Sequence, residues 1–136
     1  EASIVGSEVF SRIDGVRQSV GVALDGQLSN ELIYPHLVAD VISFWTGVVV
    51  INAGAESATV TYTVYNAAGE EILGREPETY EPGEKKTFLA NSDIQDFGQG
   101  ATWLKVNSPE PLAGYMLFGT WPPADSFSGF QSVKNL

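Results

Sequence analysis

Residues 42–69, ISFWTGVVVINAGAESATVTYTVYNAAG, restrict what this chain can become more than any other stretch. Two β-forming runs stand on either side of a short polar turn, the pattern of an antiparallel strand pair. The first, residues 45–51, is apolar throughout after Thr46 and too short for a typical helix, which predicts a central strand buried on both faces. The second, residues 59–65, alternates: Val60, Tyr62 and Val64 fall on one face, and Thr59, Thr61, Thr63 and Tyr65 on the other. That period of two belongs to a half-buried strand.

The rest of the chain can be read as further strands around this pair. Residues 3–10 and 16–24 read as a hairpin turning at Asp14-Gly15, and residues 25–30 as a connection. Residues 32–39 are apolar but contain Pro35, which predicts an edge strand or an extended entry segment. A short strand over residues 70–73 precedes a charged, proline-bearing segment at 75–81, an exposed connection or a ragged edge, and Pro82-Gly83 suits the centre of a type II turn. Residues 85–90 read as a strand, 91–100 as a loop with a helical turn capped by Ser92, and 101–106 as a strand. Residues 107–111 read as a proline-bounded turn, 112–118 as a strongly apolar strand, 121–125 as a stiff loop and 127–133 as the last strand. Fourteen glycines and seven prolines punctuate runs rich in valine, threonine and aromatic residues. The expected fold is all-β, an antiparallel two-sheet β-sandwich, immunoglobulin-like in broad architecture. Its core is expected from Trp45, Val48, Val50, Val60, Tyr62, Val64, Phe88, Leu104, Val106, Leu112 and Phe118.

At 136 residues the chain has the length of a single domain, 1–136, and enough apolar sequence for a core without a covalent staple. Cysteine is absent, so neither disulfides nor thiolate chemistry enter. The net charge of −10 comes with seven scattered basic residues, which leaves no basic patch for nucleic acid. No apolar run approaches the ~20 residues of a membrane span. The chain opens at Glu1 with no signal-peptide pattern, and a mature fragment or an excised domain is expected.

Shifting the sequence by 108 positions lays Ile4, Val5, Gly6, Val9, Phe10, Gly21 and Val22 over Leu112, Ala113, Gly114, Leu117, Phe118, Gly129 and Phe130 without a gap. Residues 1–22 are therefore read as the repeat equivalent of 109–130, an element met twice in a tandem array. Chance likeness of two apolar hairpins is the competing reading.

The strings PHLVAD, FWTGVVVINAG, TVTYTVYNAAGE, YEPGEK and PLAGYMLFG together resemble a tandem β-sandwich repeat module of large bacterial secreted or cell-surface proteins. The likeness covers residues 34–130, and the leading IVGSEVF resembles the closing strand of a preceding copy. It implies a sandwich fold, an extracellular or cell-surface location and a non-enzymatic role, with neighbouring repeats or surface proteins as partners. It implies no catalytic residue. Asn52, the asparagine that ends the tryptophan-threonine-glycine strand, is expected to be structural.

Candidate sites are few. His36 is the only histidine, which removes a catalytic triad or multi-histidine metal site built with a second one. Asp40 lies four residues on and is placed to orient it, but a structural donor after proline is the expected role for His36, and Asp40 is grouped with it as structural. Asp93 and Asp96, in a glycine-bearing loop, offer oxygen ligands that calcium accepts, or else cap a turn. Trp103, Tyr115 and Trp121, with Phe127 nearby, are candidates for stacking against sugar rings. Trp103 is out of phase with Leu104 and Val106 and is expected to face outward, whereas Trp45 is expected in the core. No nucleophile elbow, phosphate loop or marked carboxylate pair is present. The expected function is a non-catalytic structural or adhesive module. A carbohydrate- or protein-binding module using exposed aromatics is the alternative, and an enzyme or calcium-binding accessory domain ranks third. A monomer is favoured over a swapped or end-to-end dimer.

Overall fold

The computed structural model describes residues 6–11, 19–24, 28–38, 40–95, 97, 100–123 and 126–134. In chain order these form β1 (Gly6–Ser11), β2 (Ser19–Leu24), β3 (Ser29–Tyr34), β4 (Phe44–Asn52), β5 (Ala58–Tyr65), β6 (Glu71–Tyr80) and β7 (Lys85–Leu89). One helical turn, α1 (Ala90–Asp93), follows, then β8 (Trp103–Thr120), β9 (Phe127–Gln131) and β10 (Val133–Lys134). The protein is all-β and antiparallel. β1 and β2 form a two-stranded sheet, and the other eight strands are hydrogen-bonded into one open sheet. The expected Asp14-Gly15 turn lies outside the described residues.

β8 is the axis of the larger sheet. Its first part, to Asn107, pairs with β3 on one side and β5 on the other; from Leu112 onward it pairs with β4 and β9. The exchange of partners falls on residues 108–111. Opposite them β3 steps only from Glu31 to Ser29, and the Asn30 amide donates to the carbonyls of Ser108 and Pro109. Prolines 109 and 111 therefore sit where the ladder changes hands, so their missing N–H groups cost little. The turn expected at 107–111 is instead a kinked passage within one 18-residue strand.

Both parts of the sheet contribute to one core. Leu32 and Tyr34 of β3, Val60, Tyr62 and Val64 of β5, and Leu104 and Val106 of β8 pack with Val48 and Val50 of β4, Phe88 of β7, and Leu112 and Met116 of β8. Phe118 is half-buried against this cluster. β4 is buried on both faces as its continuous apolar run predicts: Val49 turns away from the main core and packs with Tyr115, Ile51 and Leu117. Trp45 falls on that second face, so it is half-buried and outside the core, a correction that follows from the parity of Thr46, Val48 and Val50.

Three further boundaries differ from expectation. β3 starts at Ser29 and ends before Pro35, and it is no edge, because β8 and the two-residue β10 flank it. The short strand expected over 70–73 runs on to Tyr80 as β6, so the charged segment 75–81 takes the edge form of its two expected forms; its partner in the ladder is β5, and Pro77 is tolerated there. α1 begins at Ala90, ahead of Ser92. The turn at Pro82-Gly83 is as expected, with Gly83 at φ 75° and its closing bond from Glu84 N–H to the Glu81 carbonyl at 2.9 Å.

Candidate functional site

The polar side chains singled out by sequence are mostly committed to the scaffold. Asn52 is fully buried at the end of β4. Its amide donates to the carbonyls of Glu56 (2.8 Å) and Tyr80 (3.2 Å), and its oxygen accepts from Gly54 N–H (2.9 Å). Glu110 grips the same 53–57 loop from outside by accepting from Ala55 and Glu56 N–H. Asp93 accepts from Leu89 N–H at 3.0 Å and from the Ser92 hydroxyl at 3.2 Å, a capping geometry for α1. Asp96, its expected partner for calcium, lies outside the described residues. Buried Tyr34, Tyr62 and Tyr80 have hydroxyl pKa values raised chiefly by burial, which keeps them protonated and unsuited to act as bases.

Asp40 builds a turn rather than orienting His36. Its carboxylate accepts from Ile42 N–H (3.0 Å) and Ser43 N–H (3.1 Å), and its carbonyl accepts from Phe44 N–H. Hydrogen bonds from the Ser43 side chain and backbone, then from Ile42, hold this exposed carboxyl below its ordinary pKa of 3.8. A folded-state pKa lowered in this way contributes stability above the unfolded value, and the contribution is lost as pH falls through the folded value. Asp40→Ala is therefore expected to lower the melting temperature at pH 7, with the gap from the parent closing as the medium is acidified below about pH 3.8. Calorimetry of both proteins across that range checks it.

The turn pushes two apolar side chains into solvent: Ile42 is 87% exposed and Val41 lies beside it on the surface. Trp121, just past the end of β8, is tied to this turn. Its backbone N–H donates to the Ser43 carbonyl (3.0 Å) and its indole N–H to the Val41 carbonyl (3.2 Å), which leaves the ring 37% exposed. Trp45 is tied to the same end of β8 by an indole bond to the Thr120 carbonyl at 3.1 Å. Gly119 makes the approach possible, because a Cβ there would sit 2.8 Å from the Trp45 ring and 2.9 Å from Phe127 Cβ. Between these elements opens a cleft of about 140 Å³ lined by Phe44, Phe118, Gly119, Ser126, Phe127 and Ser128. His36 is exposed, and its ring meets Phe118 edge-on, with centroids 5.3 Å apart.

None of the three aromatic candidates is among the residues lining this cleft; Trp121 lies two residues past Gly119. Tyr115 is 4% exposed and packs on Val49, so it offers no platform to solvent. Trp103, at the other end of β8, does lie on the face away from Leu104 and Val106; it is half-buried and stacked on Tyr65 with centroids 3.9 Å apart. Sequence reasoning missed the exposed apolar pair Val41 and Ile42. The available signal was an apolar pair bracketed by the turn formers Asp40 and Ser43. Chemically the cleft offers aromatic faces and two serine hydroxyls, which suits stacking and apolar contact rather than proton transfer.

No family model matches the sequence, and no curated protein matches it. Among solved structures the chain is similar to the crystal structure of Thermotoga maritima 1070, with a TM-score of 0.62 and 9% sequence identity over 79% of this chain and 95% of that one. Likeness at this identity speaks for the fold alone.

Proposed function

We propose that this chain is a non-catalytic structural or adhesive module of an exported bacterial protein, working at the cell surface or outside the cell. Its sheet acts as the two layers of a sandwich, immunoglobulin-like in broad architecture, with β8 shared between them. The observation that carries the reading is Asn52. This fully buried polar side chain of the organising pair directs its bonds to the main chain of Gly54, Glu56 and Tyr80. Asp40, Asp93 and Glu110 likewise hold loops. Polar groups that an enzyme would aim at a substrate are here spent on holding the frame. The resemblance to tandem repeat modules and the doubled hairpin point the same way. A screen of the purified protein against esterase, glycosidase and phosphatase substrates is expected to give no turnover; turnover lost on a point substitution would overturn the proposal.

A second reading, a carbohydrate- or protein-binding module, is favoured by the part-exposed Trp121 ring, tied by its indole to the Val41 carbonyl beside exposed Ile42. Under this reading Trp121→Ala lowers glycan or protein capture at least tenfold and leaves the melting temperature within a few degrees, because the ring is part-exposed. Trp103→Ala leaves capture unchanged. Glycan-array binding by the parent and both variants checks it, and equal loss from both would sink Trp121 as the site.

A further inference from the structure

The β1–β2 hairpin and the hairpin made by β9 with the second part of β8 share one register. In the first, Ser7 faces Ala23, Glu8 faces Val22, Val9 faces Gly21, Phe10 faces Val20 and Ser11 faces Ser19. In the second, Tyr115 faces Gln131, Met116 faces Phe130, Leu117 faces Gly129, Phe118 faces Ser128 and Gly119 faces Phe127. Each pair of the second is the corresponding pair of the first displaced by 108 positions, the same displacement that aligns the apolar residues without a gap. The connecting segments are consequently equal in length. Chance resemblance between two apolar hairpins accounts for similar composition; it does not account for a common register, since a one-residue slip would turn every side chain to the other face.

The place of the first hairpin is equally informative. β2 runs with its Cα atoms within 8 Å of those of β9. That is closer than the ~10 Å between stacked sheets, so β2 lies alongside β9, although no ladder joins the two strands. β8 holds the inner side of β9, which leaves β2 the outer side. Bonds from Ser132 N–H to the Gly114 carbonyl and from Thr120 N–H to the Ser126 carbonyl fix the alternation: residues 126, 128, 130 and 132 address β8. The main-chain groups of Phe127, Gly129 and Gln131 therefore point outward, toward β2.

We infer that the outer edge of β9 is a docking edge for a second copy of this module, and that β1–β2 occupies it as the counterpart of that copy's own closing hairpin. The inference deepens the structural-module reading and rests on it. The joint brings a β9-like strand against β9, so like meets like. It also covers an edge that would otherwise invite non-specific pairing.

Two measurements on the full chain test it. Gln131→Pro removes one outward N–H while sparing the β8 ladder, and hydrogen exchange is followed by amide. Amides of Ser19–Leu24 are expected to lose protection at least tenfold, with those of β4 and β5 unchanged; unaltered protection in β2 overturns the docking edge. Because the proline variant may fail to fold for local reasons, a chimera supplies the second arm: residues 6–24 are replaced by the sequence of 114–132. The in-register chimera is expected to melt within a few degrees of the parent as a monomer, whereas one carrying 113–131 melts well below it. An in-register chimera that unfolds or aggregates, or two chimeras that behave alike, overturns the equivalence. Discovery of turnover or glycan binding would revise the proposed function and leave these outcomes untouched.

Discussion

Gly114→Ala is expected to destabilise the protein by about 3 kcal/mol, at the upper end of what overpacking a core costs. Gly114 lies in β8 opposite Val50, with its missing side chain directed at the buried Tyr34 hydroxyl and at the Val49 carbonyl. An added Cβ would fall 2.6 Å from Val49 O and 3.2 Å from Leu32 Cδ1, and would collide with Tyr34 Oη. Neither oxygen can yield cheaply. The carbonyl belongs to β4, buried on both faces, and the phenol donates to that same carbonyl at 2.8 Å. Displacing the ring breaks this bond inside the core, so the penalty of a buried unsatisfied group adds to the steric one. In a chain of this size the loss corresponds to a melting temperature lower by on the order of 10 °C. The double variant Gly114→Ala with Tyr34→Phe is expected to recover part of it, because the colliding oxygen is gone. No recovery would show that the β4 backbone, rather than the phenol, sets the limit.

Asn52→Leu is the second large effect, again about 3 kcal/mol, and it arises from polar groups rather than volume. Leucine matches asparagine in size and suits a buried site, so a purely hydrophobic ledger would predict a gain. The bonds at this position reverse that sign. The Tyr80 carbonyl, the Glu56 carbonyl and the Gly54 N–H each lose the partner supplied by the side chain, and Tyr80 is fully buried. Urea unfolding is expected to show a lower midpoint with an unchanged slope, and hydrogen exchange to quicken first at residues 53–57. A midpoint equal to that of the parent would mean that the loop is held by Glu110 alone.

These two positions also show what a sequence discloses. The face assignments of β4 and β5 were legible because side-chain period is a local property: Val48, Val50, Val60, Tyr62 and Val64 lie in the core as their spacing requires. The Pro82-Gly83 turn was legible for the same reason. β8 was not. Pro109 and Pro111 look like terminators, and their harmlessness depends on a partner exchange among strands β3, β5, β4 and β9 that no local window contains. The length of β6 was hidden likewise, since Glu76, Pro77 and Glu78 leave both a connection and a ragged edge open. Trp45 misled because size suggests burial, whereas its phase against Val48 sets it on the other face. Trp121 could be named from sequence as a candidate, but Tyr115 and Trp103 could not be separated from it without knowing which strands cover β8.

The central position of β8 fixes the order in which the molecule can assemble. β4 can pair with β7 and β5 with β6 once residue 89 has been made, yet nothing joins these two pairs to each other or gives β3 its principal neighbour until β8 arrives. During synthesis Leu32, Tyr34, Val48 and Val60 must wait without their final cover while the chain grows to residue 120. Pairings across such sequence distances close slowly. A nascent chain of this kind stays open and threadable for most of its elongation, then commits in one step as its longest strand slides between partners made much earlier.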